Sequence, residues 1–250
     1  VIAMLGMYDM PALQPVNDRF WSLIRQHLGF GPDHLTRDRD FWDIWQDPAL
    51  VFAQTCGMPY RTRLHGTVHL VGTPDYDLPD CPPGHYFSVF VARSDDARDL
   101  RALVEGTFAY NEAMSQSGWA APVTHLSQQN LAPKTLLETG GHAQSAQAVA
   151  DGRADIASLD ALTWLLLQEN TNLGTSLREV ARTEATPTLP FITSAAQDPK
   201  HIAKAVSSAI ADLSEADRQT LHLRGLVDIP TSHYLKVPNP PKPEAIDNAN

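Results

Sequence analysis

The chain has 250 residues, room for one large domain or two small lobes at ~150 residues per domain. Hydrophobic residues make up 43% and charged residues 19%, which excludes a long disordered or coiled-coil protein. A net charge of -10 excludes broad nucleic-acid binding, which needs a basic face, yet allows a small anion held by backbone N–H groups. In chain order, Val1–Leu5 is a short apolar run that leads into a turn at Gly6-Met7-Tyr8-Asp9. A helix follows over Leu13–Leu28, with Val16, Phe20, Leu23, Ile24, His27 and Leu28 on one stripe and Gly29 as its stop. Leu50–Gln54, Thr67–Val71 and Tyr86–Ala92 read as strands, the last rich in aromatic and β-branched residues. Asp99–Glu105 is helical and Thr107–Tyr110 a strand that runs into the loop Asn111–Met114. Helices are expected over Ser117–Ser127, His142–Ala150 and Ala161–Glu169, with a strand at Ala154–Leu159. Arg178–Arg182 and Leu189–Thr193 flank a Pro-containing link. Asp198-Pro199 then opens a helix to Leu213, and Ser214-Glu215-Ala216-Asp217 opens another that closes at Gly225. The tail from Val237 is rich in Pro and Asn and reads as extended or frayed. Strands alternating with helices mean α/β.

No apolar run approaches the ~18–20 residues of a membrane-spanning helix. The chain opens at Val1 rather than Met, as expected if a leader or tag has been removed, and no signal peptide is visible in it. Cys56 and Cys81 are the only cysteines. They either close a loop of about 25 residues with one disulfide, worth roughly 3 kcal/mol, or remain two unrelated thiols. Pairing would favour an oxidising compartment. Neither has a second Cys or His at finger spacing, so no metal site is expected.

The stretch Asn111 to Trp119 combines a strand end, a loop of small polar residues and a helix start. Hydroxyls of Ser115 and Ser117, with the N–H groups of a first helical turn, would converge on one point and suit an anion. The same serines could simply cap the helix. A second group comprises His142, at a helix start after Gly140-Gly141, and Asp160, at the carboxyl end of a strand. In open α/β sheets that edge is where ligands bind, although both residues also suit helix termini. Trp42, Trp45, Trp119 and Trp164 could line a site, but Trp42 and Trp45 stand at a spacing typical of core packing.

In order, these pieces resemble one family. Ser115-Gln116-Ser117-Gly118, with Pro122 shortly after, is similar to its S-x-S-G ligand loop. Gly141-His142, Ala148-Val149, Gly152-Arg153-Ala154-Asp155 and Asp160 resemble its G-x-H, A-V and G-x-A-D-x-x-x-x-D block. Gln54-Thr55-Cys56-Gly57-Met58-Pro59-Tyr60 resembles a Cys-containing branch. The family is the periplasmic solute-binding proteins of phosphate, phosphite and phosphonate ABC importers. The resemblance, over roughly residues 1–235, implies the type II periplasmic binding fold: two α/β lobes joined by two crossing strands, with a ligand cleft between them. Lobe one would comprise residues 1–92 and 190–250, and lobe two residues 93–189. It also implies a hinge motion on binding, a small anionic solute, a permease partner in the inner membrane and a periplasmic or lipid-anchored location. A monomer without cofactor, metal or nucleic acid is expected. The resemblance places Ser115, Gln116, Ser117 and His142 on phosphoryl oxygens, with Asn111 at the start of the same loop. Tyr8 and Tyr60 would be the aromatic contacts of lobe one. Asp160 would meet a ligand amine, and Glu184 in the return link is a further carboxylate.

Binding without chemistry is therefore the expectation. A Ser117–His142–Asp160 hydrolase is the reading from another class, and it lacks a G-x-S-x-G elbow. Other solutes, such as a sulfonate, a vitamin precursor or a carbonate-bridged metal, are alternatives.

Overall fold

The computed structural model describes residues 1–247. Its strands are β1 (Ile2–Met4), β2 (Leu50–Gln54), β3 (Val68–Asp75), β4 (His85–Tyr86), β5 (Ser88–Arg93), β6 (Thr107–Tyr110), β7 (Thr135–Glu138), β8 (Ile156–Asp160), β9 (Leu177–Arg182), β10 (Thr186–Pro187), β11 (Phe191–Ser194) and β12 (Gly225–Val227). The chain divides into two compact units. Unit 1 takes Val1–His85 and Pro187–Lys236, and unit 2 takes Tyr86–Thr186 and the tail from Val237. At the crossings, β4 and β10 pair as a two-stranded ribbon. The tail, placed with the first lobe on sequence, thus clusters with unit 2. The physical reason is a hydrogen bond from the buried Trp119 indole N–H to the Pro241 carbonyl at 3.0 Å.

Unit 1 carries a five-stranded sheet in the order β1-β2-β11-β3-β12. β1 and β2 are parallel, while β11 runs antiparallel to both β2 and β3. The helix Gln14–Leu28 packs on Pro199–Asp212, which in turn packs on β3 and β12. Its inner face is Val16, Phe20, Trp21, Ile24 and Leu28, and Gly29 ends it in the left-handed region (φ 77). Trp21 takes the inward place expected of His27, which is drawn to the surface by Asp212 at 2.7 Å. A short helix at Phe41–Trp45, capped by Asp40, buries Ile44 and Trp45 and has no counterpart among the expected elements.

Unit 2 repeats the plan with the order β7-β6-β8-β5-β9. β6 lies parallel between β7 and β8, and β5 runs antiparallel to β8 and β9. Phe90, Phe108, Tyr110, Trp119, Leu126 and Ile156 form its core; burying each such side chain contributes ~1.5–3 kcal/mol. β6, β8 and the helix His142–Ala150 arise where the apolar periodicity changes from two to about 3.6 residues. Both halves of this sheet therefore deliver loops at the carboxyl ends of β6 and β8.

Cys56 and Cys81 form no disulfide, which corrects the pairing considered above. Cys56 is buried just ahead of Gly57–Pro59, whereas Cys81 lies in a turn where Asp80 is left-handed (φ 61). Different local structures aim the two thiols.

Tyr234 ties the end of unit 1 to its sheet. Its hydroxyl donates to the Thr188 carbonyl at 2.9 Å and meets Thr73 Oγ1 at 2.7 Å. Burial pushes the phenol's pKa far up, against the Thr73 hydrogen bond. Tyr234→Phe leaves Thr188 and Thr73 short of a buried partner, and a loss of ~1–3 kcal/mol is expected in a denaturant titration.

Candidate functional site

The site in unit 2 begins where β6 ends. After Tyr110 the chain enters a loop and then a wide π turn, Gln116–Ala120, which continues as the helix Ala121–Gln128. Ser115 has extended backbone, and its Oγ accepts from the Gly118 N–H at 2.9 Å. It therefore caps the turn, and its hydroxyl hydrogen points elsewhere. A Cβ on Gly118 would lie 1.8 Å from Asn111 Oδ1, so only glycine lets the loop fold back this far. Asn111 Oδ1 is buried without a hydrogen-bond partner. The Asn111 carbonyl in turn accepts from the Gly140 N–H at 2.9 Å, with Gly140 left-handed (φ 86). Thr139 Oγ1 reaches the Tyr110 and Gly141 carbonyls at 3.0 and 3.1 Å, which fixes the approach to His142.

Ser117 and His142 meet here. Ser117 Oγ lies 2.9 Å from His142 Nε2, and the Ser117 carbonyl accepts from Ser158 Oγ on β8 at 2.8 Å. His142 Nδ1 is enclosed and has no partner of hydrogen-bonding geometry, although part of the residue meets solvent. Burial lowers the His142 pKa to about 4, against a weaker pull from the Ser158 backbone. The imidazole is neutral at pH 7. Asn111, Ser115, Ser117 and His142 thus form one uncharged, donor-bearing constellation.

The remaining candidates do other work or stand apart. Asp160 ends β8 and caps Ala161–Asn170, accepting from the Thr163 N–H at 3.0 Å. Asp155 clamps the start of β6: it accepts from Thr107 N and Arg98 Nη2, each at 2.7 Å, and the absent Cβ of Gly106 gives it room. Glu184 and Gln116 share a cavity of about 70 Å³ with His125, Val237 and Pro238. Burial lowers the His125 pKa and Glu184 opposes it.

In unit 1, Tyr8 is buried edge-on to Tyr76, with ring centroids 5.5 Å apart. Its loop is anchored through Asp9, which accepts from Arg37 Nε at 2.5 Å and Asn17 Nδ2 at 2.9 Å. Tyr76 accepts from Gln54 Nε2 at 2.9 Å, and the same Gln54 amide reaches the Leu189 carbonyl at 3.1 Å. Tyr76 and Gln54 are absent from the expected set: Tyr76 stands in no motif, and Gln54, at the head of the motif that ends in Tyr60, is engaged by Tyr76 and by the Leu189 carbonyl only once the sheet has formed. Tyr60 is a core residue: its ring packs on Tyr234 at 5.2 Å and its hydroxyl meets Thr231 Oγ1 at 3.2 Å. Burial raises the pKa of that phenol. Among the described residues, no group of His, Cys, Asp and Glu could hold a metal ion.

The neutral state of His142 has a pH signature. Its folded pKa lies below the unfolded value, so unfolded chains take up the proton first as pH falls from about 6.5 to about 4. Stability drops over that window and is recovered above it, by an amount on the order of 2 kcal/mol for a group partly in solvent. Melting temperature against pH should flatten between those values in His142→Gln relative to the parent.

The family model for the phosphonate periplasmic substrate-binding protein of ABC transporters matches residues 64–231. No curated protein sequence gives a significant match. Among solved structures, PhnD1 from Prochlorococcus marinus in complex with methylphosphonate has a TM-score of 0.76 at 15% identity, covering 99% of this chain and 96% of that one. A binding protein component of an ABC phosphonate transporter from Pseudomonas aeruginosa has a TM-score of 0.69 at 16% identity, covering 90% and 80%. The GluR0 ligand-binding core from Nostoc punctiforme in complex with L-glutamate has a TM-score of 0.58 at 14% identity, covering 88% and 95%. These likenesses establish the type II periplasmic binding fold. With two thirds of its length matched by the family model, the chain belongs to the periplasmic phosphonate substrate-binding proteins of ABC transporters, a family of binding proteins and not of enzymes.

Proposed function

We propose that this chain captures a small phosphonate or phosphate-type oxyanion and delivers it to a membrane permease. The observation that carries the reading is the Ser117–His142 pair beside the capped Ser115–Ala120 turn. The first N–H groups of a helical turn lack acceptors within it and carry the positive end of the backbone dipole. The Ser115 hydroxyl and the hydrogen-bonded Ser117–His142 pair, in which one partner's proton is given to the other, add donors without adding charge. Such a set suits an importer, since a dianion held by neutral donors can be released again. It also removes the need for a basic surface on a chain of net charge -10.

In this reading Ser115, Gln116, Ser117 and His142 hold the phosphoryl oxygens, and Asn111 takes a ligand donor. Tyr8, backed by Tyr76, is the aromatic contact contributed by unit 1; Tyr60 supports that unit from its core. Asp160 and Glu184 are the carboxylates available to a ligand that carries a cation. The protein works as a monomer on the periplasmic side of the inner membrane. Among the described residues no helix is long and apolar enough to cross a membrane.

The test is a thermal-shift screen with methylphosphonate, phosphite, phosphate, aminoalkylphosphonates, phosphate esters and sulfonates, followed by calorimetric titration of the hits. A tight ligand raises the melting temperature because only the native state binds it. Ser117→Ala should weaken the best phosphoryl ligand by about one to two orders of magnitude, as expected for a donor to a charged acceptor worth ~1.5–3 kcal/mol. Asp160→Asn should change affinity for aminoalkylphosphonates alone. A shift with sulfonates and none with any phosphoryl compound would overturn the ligand class.

A further inference from the structure

We infer that the C-terminal segment from Val237 to Ala245 is a strap that holds the Ser115–Ala120 turn in shape, with Trp119 as the positioning residue through which it acts. The inference rests on the proposed role of that turn in holding an oxyanion.

Trp119 is the fourth residue of the π turn and is fully buried. Its ring packs on Tyr110, with centroids 5.0 Å apart, and its indole N–H donates to the Pro241 carbonyl at 3.0 Å. Two residues upstream are Ser117 and, before it, Gln116, which shares the small cavity with Val237 and Pro238 of the same segment. Pro243 is buried, and the helix it opens, Pro243–Asp247, packs against β7. The segment therefore bonds to the turn at Trp119, shares a cavity with it at Gln116, and is anchored beyond by its helix on β7.

A π turn is a rare and costly backbone form. Here it is held by four tethers: the Ser115 cap, the Gly118–Asn111 approach, the Ser158–Ser117 bond and the Trp119–Pro241 bond. The last reaches furthest along the chain, across 122 residues, against 41 for the Ser158–Ser117 bond. Without the Trp119–Pro241 bond the indole N–H loses its acceptor, and the ring, with the turn that carries it, is no longer held from this side. Prolines at 238, 240, 241 and 243 stiffen the strap, so little conformational entropy opposes its docking. Ordering the turn before ligand arrives removes that cost from binding.

The experiment compares the full-length parent with Trp119→Phe and with a full-length Pro238→Gly/Pro240→Gly/Pro241→Gly variant. Hydrogen exchange without ligand is read across the chain, and methylphosphonate binding is measured by calorimetry. Trp119→Phe keeps an aromatic ring, though a smaller one, and removes the donor; the triple variant loosens the strap and leaves the turn's own sequence and volume intact. Both should exchange about tenfold faster at residues 115–120, with β2 unchanged, and bind methylphosphonate roughly three- to tenfold more weakly. Unchanged exchange at 115–120 in both variants would overturn the strap. So would acceleration spread evenly over both units, which would make the segment a general stabiliser. A parent that binds no phosphoryl ligand counts against the proposed function, and the exchange measurement still decides the strap.

Discussion

The close approach of Asn111 to Gly118 is the constraint on which the candidate site depends. Oδ1 occupies the place where any other residue would carry Cβ, at 1.8 Å from it. That contact bends the chain leaving β6 tightly enough for Ser115 to cap the turn and for Ser117 to face His142. It also leaves a buried carbonyl oxygen without a partner. Buried polar atoms are rarely left unsatisfied without reason, since each costs ~1–3 kcal/mol. Asn111 Oδ1 is such an atom in this constellation, and His142 Nδ1 has only the weak pull of the Ser158 backbone.

Charge is handled differently inside and outside the site. Several arginines elsewhere are paired with carboxylates: Arg98 with Asp96 and Asp155, Arg37 with Asp9 and Asp18, Arg19 with Asp217. Arg98 holds the Asp96 carboxyl down to about 2. Such pairs order loops such as the one carrying Tyr8. The Ser115–Ala120 turn uses none of them and relies on dipoles and hydroxyls, with burial keeping His142 neutral. Donors fixed before an anion arrives cost no reorganisation, and uncharged ones let it leave.

Much of this was legible in the sequence. Leu50–Gln54, Thr107–Tyr110 and His142–Ala150 form with the bounds expected of them, because each is a local pattern with its own stop signal. The serines, His142 and their ordered glycines were legible for the same reason. What escaped are pairings of high sequence separation. Trp119 with Pro241, Gln54 with Tyr76 and Tyr60 with Thr231 arise only when distant elements stack. Tyr60 looked like a ligand contact from its motif, yet the packing of Tyr234 claims it for the core. β7 is short and half-exposed at a sheet edge, so its burial shows no alternation for a reader to find. The cysteines carried a spacing but no geometry, and geometry decides a disulfide.

The central claim is that an uncharged turn in unit 2 holds a phosphoryl oxyanion. The most direct test is an NMR titration of the isotopically labelled protein with methylphosphonate at neutral pH, following the backbone amides of residues 116–120 and the His142 ring nitrogens. The account predicts saturating shifts of those amides, with the imidazole remaining neutral throughout. Amides that stay unmoved while the protein binds, or a His142 ring that takes up a proton as the ligand arrives, would contradict it.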